Sequence, residues 1–385
     1  VETYKIRSIK GFVLIEGECF LALLLKAFPM SYFSRTFIMN FRPTIVTQAA
    51  SVLYGCAVAW RNRRFDKDLG VRRASVPVIS VGNLSAGGTG KTPFTQALVS
   101  LLQEQFPNER PAIVSRGYGR KTRGGIIVSD GASLLVSDAA LCGDEPLLLA
   151  VALPHTPVVV HEERSEGCKL AVRECGATCI VLDDGFQHRR LQRDMDIVLI
   201  DHATLAYPHL LPAGRLREPI QSLFRADVVC FMNGSQPSES THPLYAMLLP
   251  DTIIMEVETR AGNLYNTSTG ENFTPQTPVC AVSGIANPER FHASLKASGI
   301  TLSCTLTFRD HERYTKRHAE RIVEMARSKQ TSVIATTEKD LVKLRAFSDI
   351  FALEGLFLTA LPIECCINNN KELFSKRLSA LFPAK

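Results

Sequence analysis

Short runs of Val, Ile and Leu recur through the middle of the chain, each closed by polar or glycine residues. They occupy 76–81, 111–117, 157–162, 179–184, 196–201 and 227–234, and segments with helical spacing lie between several of them, at 92–105, 145–153 and 165–175. Near-continuous apolar strands, with no polar alternation, belong to sheets covered on both faces, so 74–250 predicts a mostly parallel α/β sheet. A second set, with strands at 278–285 and 332–340 and helices near 288–298 and 315–328, predicts a smaller α/β unit over 267–385. Between them, 251–266 reads as a hairpin linker turning at Gly262-Asn263.

The first 73 residues carry two longer apolar stretches. The one at 11–28 is interrupted by Glu16, Glu18 and Lys26, which suits an interfacial or packed helix better than a span. The one at 44–60 is uncharged and runs into Arg61, Arg63 and Arg64 beside Trp60. We read 1–73 as a helical, membrane-associated region, with a true span and packing on the soluble core as alternatives. Charge sharpens this reading. These residues hold 12 Lys/Arg against 5 Asp/Glu, a net of +7, while the whole chain has +6. The remainder is therefore near −1, and the basic excess sits only among apolar segments. That favours an anionic lipid surface over a nucleic-acid footprint. The 11 cysteines show no C-x-x-C pair or zinc-like spacing with histidine, which reads as reduced structural thiols.

Ligands of parallel α/β sheets bind beyond the carboxyl ends of the strands. The first run ends in Ser85-Ala86-Gly87-Gly88-Thr89-Gly90-Lys91-Thr92, then a helix. Strand, glycine turn, Lys-Thr and helix is a cradle for nucleotide phosphates, in which Lys91 reaches the outer phosphates and the Thr92 hydroxyl can meet Mg²⁺. Ser85 stands where the usual motif has its first glycine. The run at 179–184 delivers Asp183 and Asp184, then Gln187 and His188, and an aspartate at such a strand end commonly meets the metal of phosphate-loop enzymes. Asp201 competes for that role. Loops at 115–120, 142–146 and 212–219 add Arg116, Tyr118, Asp144, Glu145, Arg217 and Glu218. Asp144 and Glu145 also fit simple first-turn acids of a helix. His311 follows Asp310 just before a helix, and Thr337-Glu338-Lys339-Asp340 resembles a guanine-reading motif only in the wrong register.

The ordered set GNLSAGGTGKTP (82–93), SRGYGR (115–120), GDEP (143–146), LDDGFQH (182–188), GRLREP (214–219), FRDH (308–311) and TTEKD (336–340) resembles the tetraacyldisaccharide 4′-kinase family over about 44–360. The resemblance implies a P-loop NTPase-like larger domain, a smaller C-terminal α/β domain and N-terminal membrane-associated helices. It implies ATP and Mg²⁺ as cofactors and an acylated disaccharide 1-phosphate lipid as substrate, at the cytoplasmic face of the bacterial inner membrane. No nucleic acid and no obligate protein partner are expected. Carried over, Ser85 to Thr92 hold the nucleotide, and Thr92, Asp183 and Asp184 hold the metal. Asp144 with His311 is the catalytic dyad, aided by Lys91. Glu145, Arg116, Tyr118, Gln187, His188, Arg217 and Glu218 surround the cleft in supporting roles. Glu312 stands where many relatives have a second histidine. A phosphate-loop ATPase or GTPase acting on a membrane or protein partner, and a peripheral scaffold that merely retains nucleotide, are the rival readings.

Overall fold

The computed structural model describes residues 6–9, 12–15, 44–238, 242–310 and 312–382. Ile6–Ile9 (β1) and Phe12–Ile15 (β2) pair antiparallel, so the start of the apolar stretch at 11–28 is extended where a helix was expected, and its remainder lies outside the described residues. Helix α1, Ile45–Phe65, begins at a reciprocal cap between Thr44 and Thr47.

The larger sheet takes β3 (Val78–Asn83), β4 (Pro111–Ser115), β5 (Ile126–Asp130), β6 (Pro157–Val160), β7 (Cys179–Asp183), β8 (Met195–Ile200), β9 (Val228–Met232) and β10 (Ile253–Ala261). The three longest helices between these strands are α2 (Lys91–Gln105), α3 (Asp144–Ala152) and α4 (Arg164–Cys175). The smaller sheet follows with β11 (Tyr265–Asn266), β12 (Val279–Ser283), β13 (Leu302–Thr307), β14 (Val333–Thr337) and β15 (Phe357–Leu361). Its helices include α5 (Pro288–Ala297), α6 (Lys316–Ser328) and α7 (Glu338–Leu344). The chain then returns to the larger sheet through β16 (Ile363–Ile367) and the terminal helix α8 (Lys371–Ser379).

Strand order in the larger sheet is β16-β10-β9-β8-β3-β7-β4-β6-β5. Neighbours pair in parallel from β10 to β6, and only the edges β16 and β5 run antiparallel. All residues of β3, β7, β8 and β9 are buried, as their uninterrupted apolar sequences require of strands covered on both faces. The smaller sheet, ordered β11-β15-β14-β12-β13, has a separate core around Val282, Ile322, Leu344 and Phe351.

The expected hairpin at 251–266 does not form. β10 pairs in parallel with β9 along its first half and antiparallel with β16 along its second, whereas β11 pairs with β15 in the other sheet. The reason is length: β10 runs nine residues, so its second half passes beyond β9 and takes β16 as its partner. The return of the chain's end was equally unforeseen. Phe374 and Leu378 of α8 are fully buried in the same core as Phe94, Leu98 and Val257.

Removing a fully buried phenylalanine costs about 3–5 kcal/mol. Phe374→Ala is therefore expected to lower the unfolding free energy by about that amount in urea titrations. A loss below about 1 kcal/mol would show α8 to be a peripheral appendage rather than part of the larger core.

Candidate active site

β3 sits in the middle of the larger sheet, and Asn83 ends it at the mouth of a cleft of about 3330 Å³. The loop from Leu84 to Gly90 leads directly into α2. Gly90 caps this helix in a left-handed conformation (φ 88°) and offers no side chain, so the helix's first N–H groups remain directed at the cleft. Gly87 is also left-handed, and a Cβ there would run into the Arg215 guanidinium. The loop is braced by the segment after Leu211. Ala86 N donates to Arg215 O at 2.7 Å, Arg217 N donates to Leu84 O at 2.7 Å, and the Arg215 guanidinium donates to Ala86 O. Ser85 accepts a hydrogen bond from Thr204 at 3.0 Å, which secures the position where the common motif has glycine.

Lys91 and the two aspartates converge here. Lys91 Nζ lies 3.1 Å from Asn83 Oδ1 and 3.4 Å from Asp184 Oδ1, and Arg217 Nη1 donates to Asp184 Oδ2 at 2.7 Å. Burial opposes ionisation of Asp184, but Lys91 and Arg217 outweigh it and hold this carboxyl well below the usual range. Asp183 is the opposite case. Burial, then the neighbouring charges of Glu145 and Asp184, push it up to about 7, and its hydrogen bond comes from Ser115 Oγ at 3.2 Å. Two adjacent carboxylates thus hold different charge states. Asp184 adopts a left-handed backbone (φ 54°), so the pair points in different directions.

Asp144 and Glu145 form the first turn of α3 and line the same cleft. Lys343 Nζ lies 3.5 Å from Asp144 Oδ2, and Lys339 Nζ lies 3.8 Å from Glu145 Oε1. Both lysines come from the smaller unit. Arg116 and Tyr118 line the cleft with their side chains largely exposed. Gln187 donates to Asn83 O at 2.8 Å and so buttresses the end of β3. His188 is mostly buried, and burial with the surrounding charges of Arg164, Arg190, Arg193 and Arg116 pushes it down to about 3. It is a neutral imidazole at physiological pH. Glu218 is fully buried and is taken up by Arg61 at 2.6 Å, Arg225 at 2.8 Å and Asn62, so its support is to the packing of α1. Asp201 caps the turn at His202–Ala206 by accepting from Thr204, which accounts for it without a metal. His311 lies outside the described residues.

Lys343 lies in no motif of the sequence reading, whereas Asn83, Arg215 and Lys339 lie inside the motifs at 82–93, 214–219 and 336–340 and were given no individual role there. The part of Arg215 is a backbone and guanidinium brace that no spacing reveals. The two lysines carry no signal of their own, since their partners lie almost 200 residues earlier.

The family described as tetraacyldisaccharide-1-P 4′-kinase matches residues 44–382. A protein named tetraacyldisaccharide 4′-kinase from Chlorobaculum parvum is 37% identical over 350 residues, covering 88% of this chain and 95% of its own. One of the same name from Desulfotalea psychrophila is 42% identical, covering 78% and 86%. The crystal structure of LpxK from Aquifex aeolicus in complex with ATP superposes with a TM-score of 0.70 at 32% identity, covering 87% of this chain and 98% of that one.

The charge state of Asp183 sets a pH dependence. A carboxyl whose pKa rises on folding leaves the folded form holding the extra proton between about pH 4 and about pH 7, so stability falls as pH rises through that window. Asp183→Asn keeps the acceptor for Ser115 and removes the titration. Without nucleotide or divalent cation, this variant is expected to melt a few degrees above wild type at pH 8 and to converge with it near pH 4.5. Equal melting temperatures at both pH values would refute a raised Asp183.

Proposed function

The chain belongs to the tetraacyldisaccharide-1-P 4′-kinase family, and we propose that it transfers the γ-phosphoryl group of ATP to the 4′-hydroxyl of a tetraacyldisaccharide 1-phosphate in lipid A synthesis. The observation that carries this reading is the meeting of the Lys91 loop with the Asp183/Asp184 pair in a cleft that Asp144 also lines.

In-line transfer needs charge compensation on the moving phosphoryl group and a base for a weakly nucleophilic hydroxyl. The loop from Ser85 to Gly90 and the amides at the start of α2 wrap the β- and γ-phosphates, and Lys91 supplies a positive charge. Asp184, ionised by Lys91 and Arg217, fixes the lysine while leaving the loop rigid. Asp144 orients the imidazole of His311, which takes the hydroxyl proton as oxygen bonds to the γ-phosphorus and the bond to the ADP oxygen breaks. Arg116, Tyr118, Gln187 and His188 shape the walls around the acceptor.

Thr92, Asp183 and Asp184 suit a Mg²⁺ ion. Asp183 is buried beside a second carboxylate and is held only partly ionised, as a carboxyl awaiting a cation would be. Among the described residues no cluster of three or more His, Cys, Asp or Glu forms a closed cage. That agrees with Mg²⁺, which is held by one or two carboxylates together with substrate phosphates and water. When bound, it would neutralise charge on the phosphates.

The lipid substrate agrees with α1. Ile45, Val46, Val52, Leu53 and Trp60 remain exposed on this helix, although among the described residues no helix is long and apolar enough to cross a membrane. We assign these side chains, with Arg63 and Arg64, to an anionic membrane surface on the cytoplasmic side of the inner membrane. Each acyl CH₂ kept in lipid saves about 0.8 kcal/mol, so working at that surface avoids full extraction of the substrate.

ATP-dependent phosphate transfer to a tetraacylated disaccharide 1-phosphate in mixed micelles is expected to give the 4′-phosphorylated product. His311→Ala should lower kcat by about 10²–10⁴-fold, the span of general-base contributions. No product, together with nucleotide hydrolysis on addition of another acceptor or partner, would support a phosphate-loop switch instead.

A further inference from the structure

Asp340, the third residue of α7, is fully buried and held on several sides. Its Oδ2 accepts from Gly284 N at 2.9 Å and from Thr337 Oγ1 at 2.7 Å, and its Oδ1 accepts from Tyr314 Oη at 3.1 Å. Tyr314 closes the segment that carries Asp310 and His311. One helical turn after Asp340, Lys343 places its Nζ 3.8 Å from Asp340 Oδ1 and 3.5 Å from Asp144 Oδ2, with the Tyr314 ring 5.7 Å away. The lysine side chain is only 9% exposed. One buried carboxylate therefore holds both Tyr314 and the cation that faces Asp144.

We infer that Lys343 is a positioning residue for phosphoryl transfer, its ammonium clamped by Asp340 so as to hold the Asp144 carboxylate in place beside the acceptor hydroxyl. This rests on Asp144 acting with His311 as the base pair. An exposed ion pair contributes about 0–1 kcal/mol and would be dispensable. A largely buried ammonium between two carboxylates of different units is a different object: it fixes the geometry of Asp144 against the smaller unit. Among the described residues Lys343 faces Asp144 from α3, Asp340 from its own helix and the ring of Tyr314, while Lys339 pairs with Glu145 one turn away.

The test uses the full chain and tetraacyldisaccharide 1-phosphate in mixed micelles. Lys343→Met is expected to lower kcat on the order of 10²-fold, the scale of a misplaced catalytic group, with KM for ATP within about twofold. Removing a positive charge favours the protonated form of nearby groups, so the acid limb of the kcat–pH profile should move to higher pH. Lys343→Arg, which keeps the charge, should retain the limb and most of the rate. In an Asp144→Asn background Lys343→Met should add no further loss. If the Met variant melts below the assay temperature, Lys343→Gln is judged by the same criteria. A normal kcat in Lys343→Met, or losses that multiply with those of Asp144→Asn while the acid limb stays put, would overturn the inference. Full turnover in Asp144→Asn would instead bring down the base-pair reading, and this inference with it.

Discussion

Asp184 is a carboxylate at the floor of a cleft, and the site can hold it ionised only because two cations reach it from different directions. Lys91 arrives from the start of α2, at the end of the phosphate-binding loop, and Arg217 from the segment that braces that loop. Desolvation alone would neutralise the acid, and it wins at Asp183, one residue earlier, where the nearest added charges are negative. The contact does more than set a charge. It ties Lys91 to the end of β7 and makes the loop, the brace and the acidic strand end one rigid constellation. Preorganised charge of this kind is what phosphoryl transfer requires.

The parallel sheet was legible because strands buried on both faces have no alternative but continuous apolar sequence, and six of those runs became six of its strands. The phosphate loop was legible because strand, glycine turn and Lys-Thr lie next to one another in sequence. What failed was whatever depends on distant pairing. Nothing local in Ile363–Ile367 says that this strand crosses back to β10, and β10's alternating burial gave it the look of a hairpin arm. Glu218 and Arg217 are neighbours in one motif, yet one serves α1 and the other serves Asp184, a division set by which face of the extended segment each side chain takes. The TTEKD stretch was set aside as a nucleotide reader. Its use in the fold is to begin α7 with a capped, buried Asp340 and to bring lysines across the cleft.

Helix α1 is also two-sided in a way that its long apolar stretch conceals. Val58 is buried, Tyr54 donates to Arg217 O at 2.9 Å, and Arg61 and Asn62 reach Glu218. The helix is thus joined to the same segment that grips Asp184, while its other face leaves Ile45, Val46 and Trp60 uncovered. A single element carries apolar surface outward and hydrogen bonds inward, so whatever holds its outer face bears directly on the brace of the phosphate loop.

The two sheets are joined by crossings that lie side by side, one leaving β10 after Ala261 and one entering β16 after Leu361, with Gly262 N donating to Pro362 O at 3.0 Å. Glu338 sits at these crossings, accepting from Ile363 N at 3.3 Å, and burial pushes its carboxyl up to about 7. Glu338 opens α7, the helix that carries Lys339, Asp340 and Lys343. The crossing and the charges that face Asp144 are therefore the two ends of one short rigid element. Seven residues of helix therefore join the crossing between the sheets to the cleft.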